Sequence, residues 1–362
     1  MILGNTASIL LYFAIFGISI LLLFLGEKKK NKLLVILALL LPITLASIRS
    51  QVGTDWIAYN QFYEEVAQED SKEFWRQIVE HETEPMMMFI GWITSTTKSG
   101  SWVIFFVYSA ITLLFMYLAI RKLVPKNSWL LFGVFLFTAF PDSFNTMRQM
   151  AAMSVLAYMF SLLVDCWPRT KREMIILILL LILAINLHYA TIALLPILFI
   201  PWLSRKIGEK KISYILAILL IFSLSLFPLL IQLLANSGLL SPKHYETLTN
   251  DFGSFYNFNF LICIVIGTFS FFYFKKGENN IFTPLMLLGA NYAALGFYSR
   301  YLGRLADFFW PFATILAWKI LDTFKISSKA KIVVTCSAAA VYFILAYVIM
   351  GTSEVIPYGT IF

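Results

Sequence analysis

Four arginines, Arg49, Arg148, Arg300 and Arg304, stand where an apolar run meets polar sequence. A charge within a bilayer costs roughly 2.5–3.5 kcal/mol on insertion scales, so arginines in such places pair, snorkel to the surface or bind something. The planar guanidinium fork suits two-point contact with phosphate, which a lysine ammonium does not match. Groups able to move a proton lie at the same kind of boundary. Asp55 sits in Arg49-Ser-Gln-Val-Gly53-Thr-Asp55-Trp-Ile-Ala-Tyr59, where Gly53 permits a sharp turn and a cation, a carboxylate and a phenol fall close together. Glu84 precedes Pro85, and His188, in Asn186-Leu-His188-Tyr189, is the histidine placed inside an apolar tract. Gln149 directly follows Arg148.

Each of these residues also has a plainer role. Arg49 can snorkel from a helix end, and Asp142 can neutralise Arg148 across the break Phe-Pro141-Asp-Ser-Phe-Asn-Thr-Met. On a helix Arg300 and Arg304 share one face, with Asp307 three residues beyond Arg304 as its neighbour. Glu84 can cap the helix that Pro85 opens, and a histidine in an apolar tract is more often hydrogen-bonded structure than a catalyst. Trp56, Tyr59 and Tyr63 suit core packing as well as stacking on sugar rings. The Met86-Met-Met88 run and the many Phe read as lipid or packing surface.

The elements that must position these groups are membrane helices. Hydrophobic residues make up 60% of the 362 and charged ones 13%, with a mean hydropathy of +0.80. Soluble domains carry about 25% charged residues, so a water-facing surface cannot be built from this chain. Apolar runs, most of them near the roughly 20 residues needed to cross a bilayer, cover 6–25, 33–48, 102–120, 128–140, 148–165, 173–187, 188–203, 212–234, 257–274, 281–298, 303–320 and 332–350. The fold expected is all-α: a single polytopic integral membrane domain over 1–362 with about 11–13 transmembrane helices. The first run lacks a basic leading region and a small-residue cleavage site, so it does not read as a cleavable signal.

Twenty of the 28 Lys and Arg residues gather in six short stretches: 28–32, 121–126, 169–172, 205–211, 275–276 and 319–331. Basic loops favour the cytoplasm, which puts both termini on the extracytoplasmic side. The net charge of +8 and pI near 9.2 therefore set orientation and require no nucleic acid. That parity holds if 85–97, at about 1.5 Å per residue too short to cross, is a re-entrant helix. The stretch 173–203 reads as a shallow hairpin turning at His188-Tyr189. Extracytoplasmic loops fall at 49–84 and 235–256. The first reads as two amphipathic helices, with Trp56, Tyr59, Tyr63 and Val66 on one face, Phe74, Trp75 and Ile78 on another, and Thr54 or Asp55 as the first N-cap. Such helices lie along the membrane interface. Cys166, Cys263 and Cys336 form no metal or disulfide pattern, and His81, His188 and His244 lack ligand spacing, so neither metal nor cofactor is expected.

The stretch Arg49-Ser-Gln-Val-Gly-Thr-Asp-Trp-Ile-Ala-Tyr-Asn-Gln-Phe-Tyr resembles the Arg-x3-Gly-x-Asp-x3-Tyr signature of the EpsG family of polysaccharide polymerases, related in function to the Wzy O-antigen polymerases. Glu84-Pro85, Arg148-Gln149, His188, Arg304-Leu-Ala-Asp-Phe-Phe and the closing Val-Ile-Pro357-Tyr358-Gly-Thr-Ile-Phe follow in family order, so the likeness spans nearly the whole chain. Asp307-Phe308 departs from a tyrosine-containing pattern common at that point.

The resemblance implies a bacterial glycosyltransferase of exopolysaccharide, capsule or O-antigen assembly in the cytoplasmic (inner) membrane. A growing glycan would pass from polyprenyl pyrophosphate to a new lipid-linked repeat unit on the outer side, without a metal. A flippase and a chain-length regulator would be its partners. In that scheme Arg148, Arg300 and Arg304 hold pyrophosphates, Arg49 and Asp55 organise the outer loop, and Tyr59 and Gln149 contact substrate. The base is His188, Asp55 or Glu84. Two other classes would also use many helices: a flippase of lipid-linked oligosaccharide, whose charges belong nearer the midplane, and a membrane acyltransferase of the same pathway.

Overall fold

A computed structural model describes residues 1–68, 83–165, 170–237, 281–296 and 303–362, with Val265 and Phe269. In chain order the helices are α1 (Asn5–Lys29), α2 (Lys32–Ser47), α3 (Trp56–Gln68), α4 (Pro85–Thr96), α5 (Trp102–Leu123), α6 (Ser128–Thr138), α7 (Met147–Asp165) and α8 (Lys171–Leu187). They continue as α9 (Pro196–Ile207), α10 (Glu209–Asn236), α11 (Phe282–Leu295), α12 (Trp310–Thr323) and α13 (Ser328–Phe343). Short 3-10 turns stand at Pro141–Phe144, Tyr189–Leu194, Arg304–Phe309 and Thr352–Glu354. No strand occurs among the described residues, only two isolated bridges. The all-α expectation holds.

Among the described residues five helical stretches are long and apolar enough to cross a membrane: α1, α5, α7 to Val164, Tyr189–Ile207 and Ser328–Ile349. Three shorter apolar helices, α2, α6 and α11, accompany them. The expected spans map onto helices from 6–25 through 332–350, except 257–274, which lies outside the described residues apart from Val265 and Phe269. Phe74, Trp75, Ile78 and nearly all of loop 235–256 also lie outside them.

Local sequence marks several helix ends. The Asn31 side chain accepts from the amides of Leu33 and Leu34 at 2.9 and 3.3 Å and so caps α2. Thr170 and Glu173 form a reciprocal capping box at the start of α8. Lys28 and Lys29 close α1, where a helix C-terminus favours cations.

The chain forms two compact units. The first joins Met1–Ile192 to Ile326–Phe362. Its α5 packs along α7, α1 along α2, and α13 against α6. Tyr12, Phe16, Phe137, Phe140 and Phe343 form a mutually tilted aromatic core, with Phe16 and Phe137 ring centres 5.3 Å apart and Tyr12 and Phe343 5.6 Å apart. The second unit, Ala193–Lys325, packs α10 against α11 around buried Asn291, whose amide donates to the Leu216 and Leu287 carbonyls at 3.0 and 2.7 Å.

Two separate pieces of the first unit are tied by its C-terminal segment. The amide of Ser50 donates to the Gly359 carbonyl at 2.8 Å, that of Gly53 to Glu354 at 3.1 Å, and that of Leu3 to Tyr358 at 2.9 Å. Tyr358 sends its phenol to the Leu45 carbonyl at 2.6 Å. A Cβ on Gly359 would fall 2.2 Å from the Ser50 carbonyl oxygen, so only glycine lets these backbones approach.

Candidate functional site

Arg49 emerges from the end of α2 and is 1% exposed. Its Nη1 donates to the Ala46 carbonyl at 2.7 Å and its Nη2 to that of Phe144 at 3.2 Å. The guanidinium lies over the rings of Phe105 and Phe144, 4.2 and 4.6 Å from their centres. Burial lowers its pKa to about 10, so it stays charged at neutral pH. Neither a snorkelling end nor an open anion site describes this side chain: it is built into the packing. Its backbone carbonyl accepts from the Trp56 indole at 3.1 Å, which fixes the start of α3. Between them Gly53 takes φ +87°, a conformation that side chains resist.

The amphipathic face expected on α3 is present, with Tyr59 and Val66 buried and Trp56 and Tyr63 half-buried. It packs on α4, where the Phe62 ring fills the space that a Cβ on Gly91 would need. Asp55 precedes α3, its carboxylate accepting from the Thr54 hydroxyl at 3.2 Å.

Glu84 stands immediately before α4. Pro85 occupies the first helical position, where its missing N–H is no loss, and the Glu84 backbone carbonyl accepts from Met87 and Met88. The carboxylate makes no capping bond. One oxygen instead meets Nδ1 of His188 at 2.8 Å, and the other is ion-paired with Nη1 of Arg148. Side-chain exposure is 7% for Glu84, 25% for His188 and 34% for Arg148, so a buried anion holds two more accessible groups. Burial alone would raise the Glu84 pKa. The His188 hydrogen bond and the Arg148 charge outweigh it and hold the carboxyl below the ordinary 4.5.

The two partners are placed by interruptions in helices. His188 ends α8 in an extended conformation, and its amide still donates to the Ala184 carbonyl at 3.1 Å. With an ionised carboxylate as its partner, Nδ1 is the donor of this hydrogen bond. Arg148 lies in the first turn of α7, where a cation opposes the helix dipole and an acidic partner offsets the conflict. Its guanidinium also stands 5.9 Å from the Tyr59 ring centre and in hydrogen-bond contact with that phenol. Tyr59 is packed edge-on against Phe105 at 6.1 Å, which places it beside the charge rather than open for ring stacking.

Asp142 does not neutralise Arg148, as the plainer reading had it. It accepts from the Ser353 hydroxyl at 2.7 Å, with Tyr347 a second partner, and burial pushes its pKa up to about 6. Gln149 is half-buried beside Arg148. Arg304 is exposed and opens a 3-10 turn of the second unit, not an α-helix. Arg300 lies outside the described residues. Sequence reasoning passed over Tyr108 of α5, a phenol that feels Tyr59, Arg148 and Glu84. A tyrosine within a 22-residue apolar helix carries no mark of composition. Among the described residues no three His, Cys, Asp or Glu side chains gather as a metal site would require.

The EpsG family model matches residues 32–360, a stretch that contains all of these positions. The chain belongs to the EpsG family. No curated protein and no solved structure matches it. EpsG membership carries polysaccharide polymerase-type function, and with the apolar helices it makes this a membrane protein.

Proposed function

We propose that this EpsG-family chain polymerises a surface polysaccharide at the extracytoplasmic face of a bacterial cytoplasmic membrane. The donor is the growing glycan on polyprenyl pyrophosphate, and the acceptor is a hydroxyl of a new lipid-linked repeat unit. The observation that carries the reading is the carboxylate of Glu84 holding His188 and Arg148 at one place.

In the reaction the acceptor oxygen forms a bond to the donor's anomeric carbon as the bond from that carbon to the pyrophosphate oxygen breaks. The acceptor's proton passes to Nε2 of His188, and polyprenyl pyrophosphate leaves with the bonding electron pair. Glu84 holds the imidazole in the tautomer that can accept the proton and steadies the imidazolium that results. Arg148 meets the negative charge that grows on the leaving pyrophosphate, in surroundings that are partly dry and already ordered. Arg300 and Arg304 are proposed as further phosphate contacts, with Gln149 and Asp55 toward the glycan. Arg49 and Tyr59 order the outer segment and the Arg148 side chain. The six basic stretches face the cytoplasm, both termini face outward, and a flippase and a chain-length regulator act beside the polymerase.

The test is replacement of Arg148 and His188 singly by alanine in a strain that lacks the native chain. Long-chain glycan on gels falls by on the order of 10²–10³-fold, and single-repeat glycan remains. Long polymer surviving both changes sinks the proposal. Loss of single-repeat glycan as well would indicate the flippase reading instead, and an intact ladder lacking acyl groups would indicate the acyltransferase.

A further inference from the structure

Tyr108 is 0% exposed, yet its hydroxyl finds no hydrogen-bond partner among the described residues. Most buried polar side-chain atoms are paired, because leaving one unmatched forfeits the hydrogen bonds it made to water. Phenylalanine would fill the same space without that loss, so the oxygen calls for an explanation.

Its position supplies one. Tyr108 lies one helical turn beyond Phe105, the ring that packs edge-on against Tyr59 and under Arg49. The same helix packs along α7, which carries Arg148 at its start. The groups that act electrically on the phenol are Tyr59, Arg148 and Glu84. A donor with no partner therefore stands in the same cluster as a guanidinium that Glu84 and the Tyr59 phenol engage only in part and whose side chain keeps 34% of its surface. The exposed part of the guanidinium and the unused O–H are both donors, and donors in one cluster suit an anionic oxygen.

Resting on the function proposed above, we infer that the Tyr108 hydroxyl is a substrate contact: it donates a hydrogen bond to a phosphate oxygen of the leaving pyrophosphate received by Arg148. A glycan hydroxyl fits less well. It would bring a donor of its own to a place already occupied by donors, whereas a phosphate oxygen only accepts. The contact strengthens as charge moves onto the leaving group, so it belongs to the transition state more than to the bound substrate.

Tyr108→Phe in the full-length protein separates this from a structural role. Thermal unfolding in detergent should be unchanged or slightly raised, because the substitution removes an unmatched buried hydroxyl. Polymer formation from lipid-linked repeat units in proteoliposomes should fall about 10–100-fold, chiefly in kcat. Inorganic pyrophosphate, added to the purified protein, should raise the unfolding temperature of the wild type more than that of the variant. A wild-type polymer rate, a lowered unfolding temperature, or undiminished protection by pyrophosphate would each overturn the assignment. Arg148→Gln, run alongside, keeps the two levels apart. If Arg148→Gln is inactive and Tyr108→Phe fully active, only the Tyr108 contact fails; if both polymerise normally, the polymerase site itself is misplaced.

Discussion

One carboxylate at Glu84 serves two partners, and the two services are chemically different. Toward His188 it selects a tautomer; toward Arg148 it supplies counter-charge while leaving the guanidinium partly exposed. Glu84→Gln keeps the shape and loses both. Polymer formation should drop by about 10²-fold, with Arg148 and His188 still present. The pH response has a definite sign. Because the Glu84 pKa is lowered on folding, its contribution to stability is present above the ordinary 4.5 and is lost as pH falls through the folded value. Unfolding temperature measured from neutral to acid pH should therefore decline more steeply for wild type than for the glutamine variant. The sequence exposes these three residues because each is polar at the rim of an apolar run. It does not expose their partnership, since Glu84 is separated from Arg148 by 64 positions and from His188 by 104. Asp142 looked the nearer partner for Arg148 because proximity along the chain was the available guide.

Among the elements, the sequence located the helices and the break at His188-Tyr189, but not the tighter turns that open the runs 188–203 and 303–320. The run 188–203 is in fact a 3-10 turn followed by α9 from Pro196, and the run 303–320 is a 3-10 turn followed by α12. Composition hardly changes where backbone pairing tightens from four residues to three, so a hydropathy window sees one span. These interruptions matter, since one of them sets His188. Arg49 shows the same limit from another direction. Its sequence position suggests a surface cation, while its surroundings make it a strut joining the end of α2, the turn at Phe144 and the Phe105 face of α5. Lysine keeps the charge but not the two-carbonyl fork or the flat stacking surface. Arg49→Lys should destabilise the protein by about 2–3 kcal/mol, seen as a lower unfolding temperature in detergent. Arg148→Ala, in contrast, should lower polymerisation more than stability.

For the whole molecule, the polytopic character follows directly from an excess of apolar residues, but the division into two units does not. Which helices pack together depends on close side-chain fit, and apolar runs of similar composition differ little in that respect. The closure of the first unit by residues 353–360 was equally hidden, because it runs largely through backbone groups that every residue possesses. Asp142 reports on that closure. Burial raises its folded pKa to about 6, so its stabilising contribution is fully present below the ordinary 3.8 and is lost as pH rises through about 6. Asp142→Asn stays neutral throughout. Moving from about pH 4 to about pH 7.5, the variant should gain up to about 3 kcal/mol relative to wild type, measured by thermal or denaturant unfolding.

The Tyr12 phenol meets the Val355 carbonyl at 3.0 Å across 343 positions of sequence, and Ser50 meets Gly359 in the same way. During synthesis, then, the turn that carries Gly53 leaves the ribosome early and waits unsupported while every later helix is inserted. Its lock, residues 353–360, is translated long after it. A chain halted before residue 353 would therefore carry the Gly53 turn unfastened.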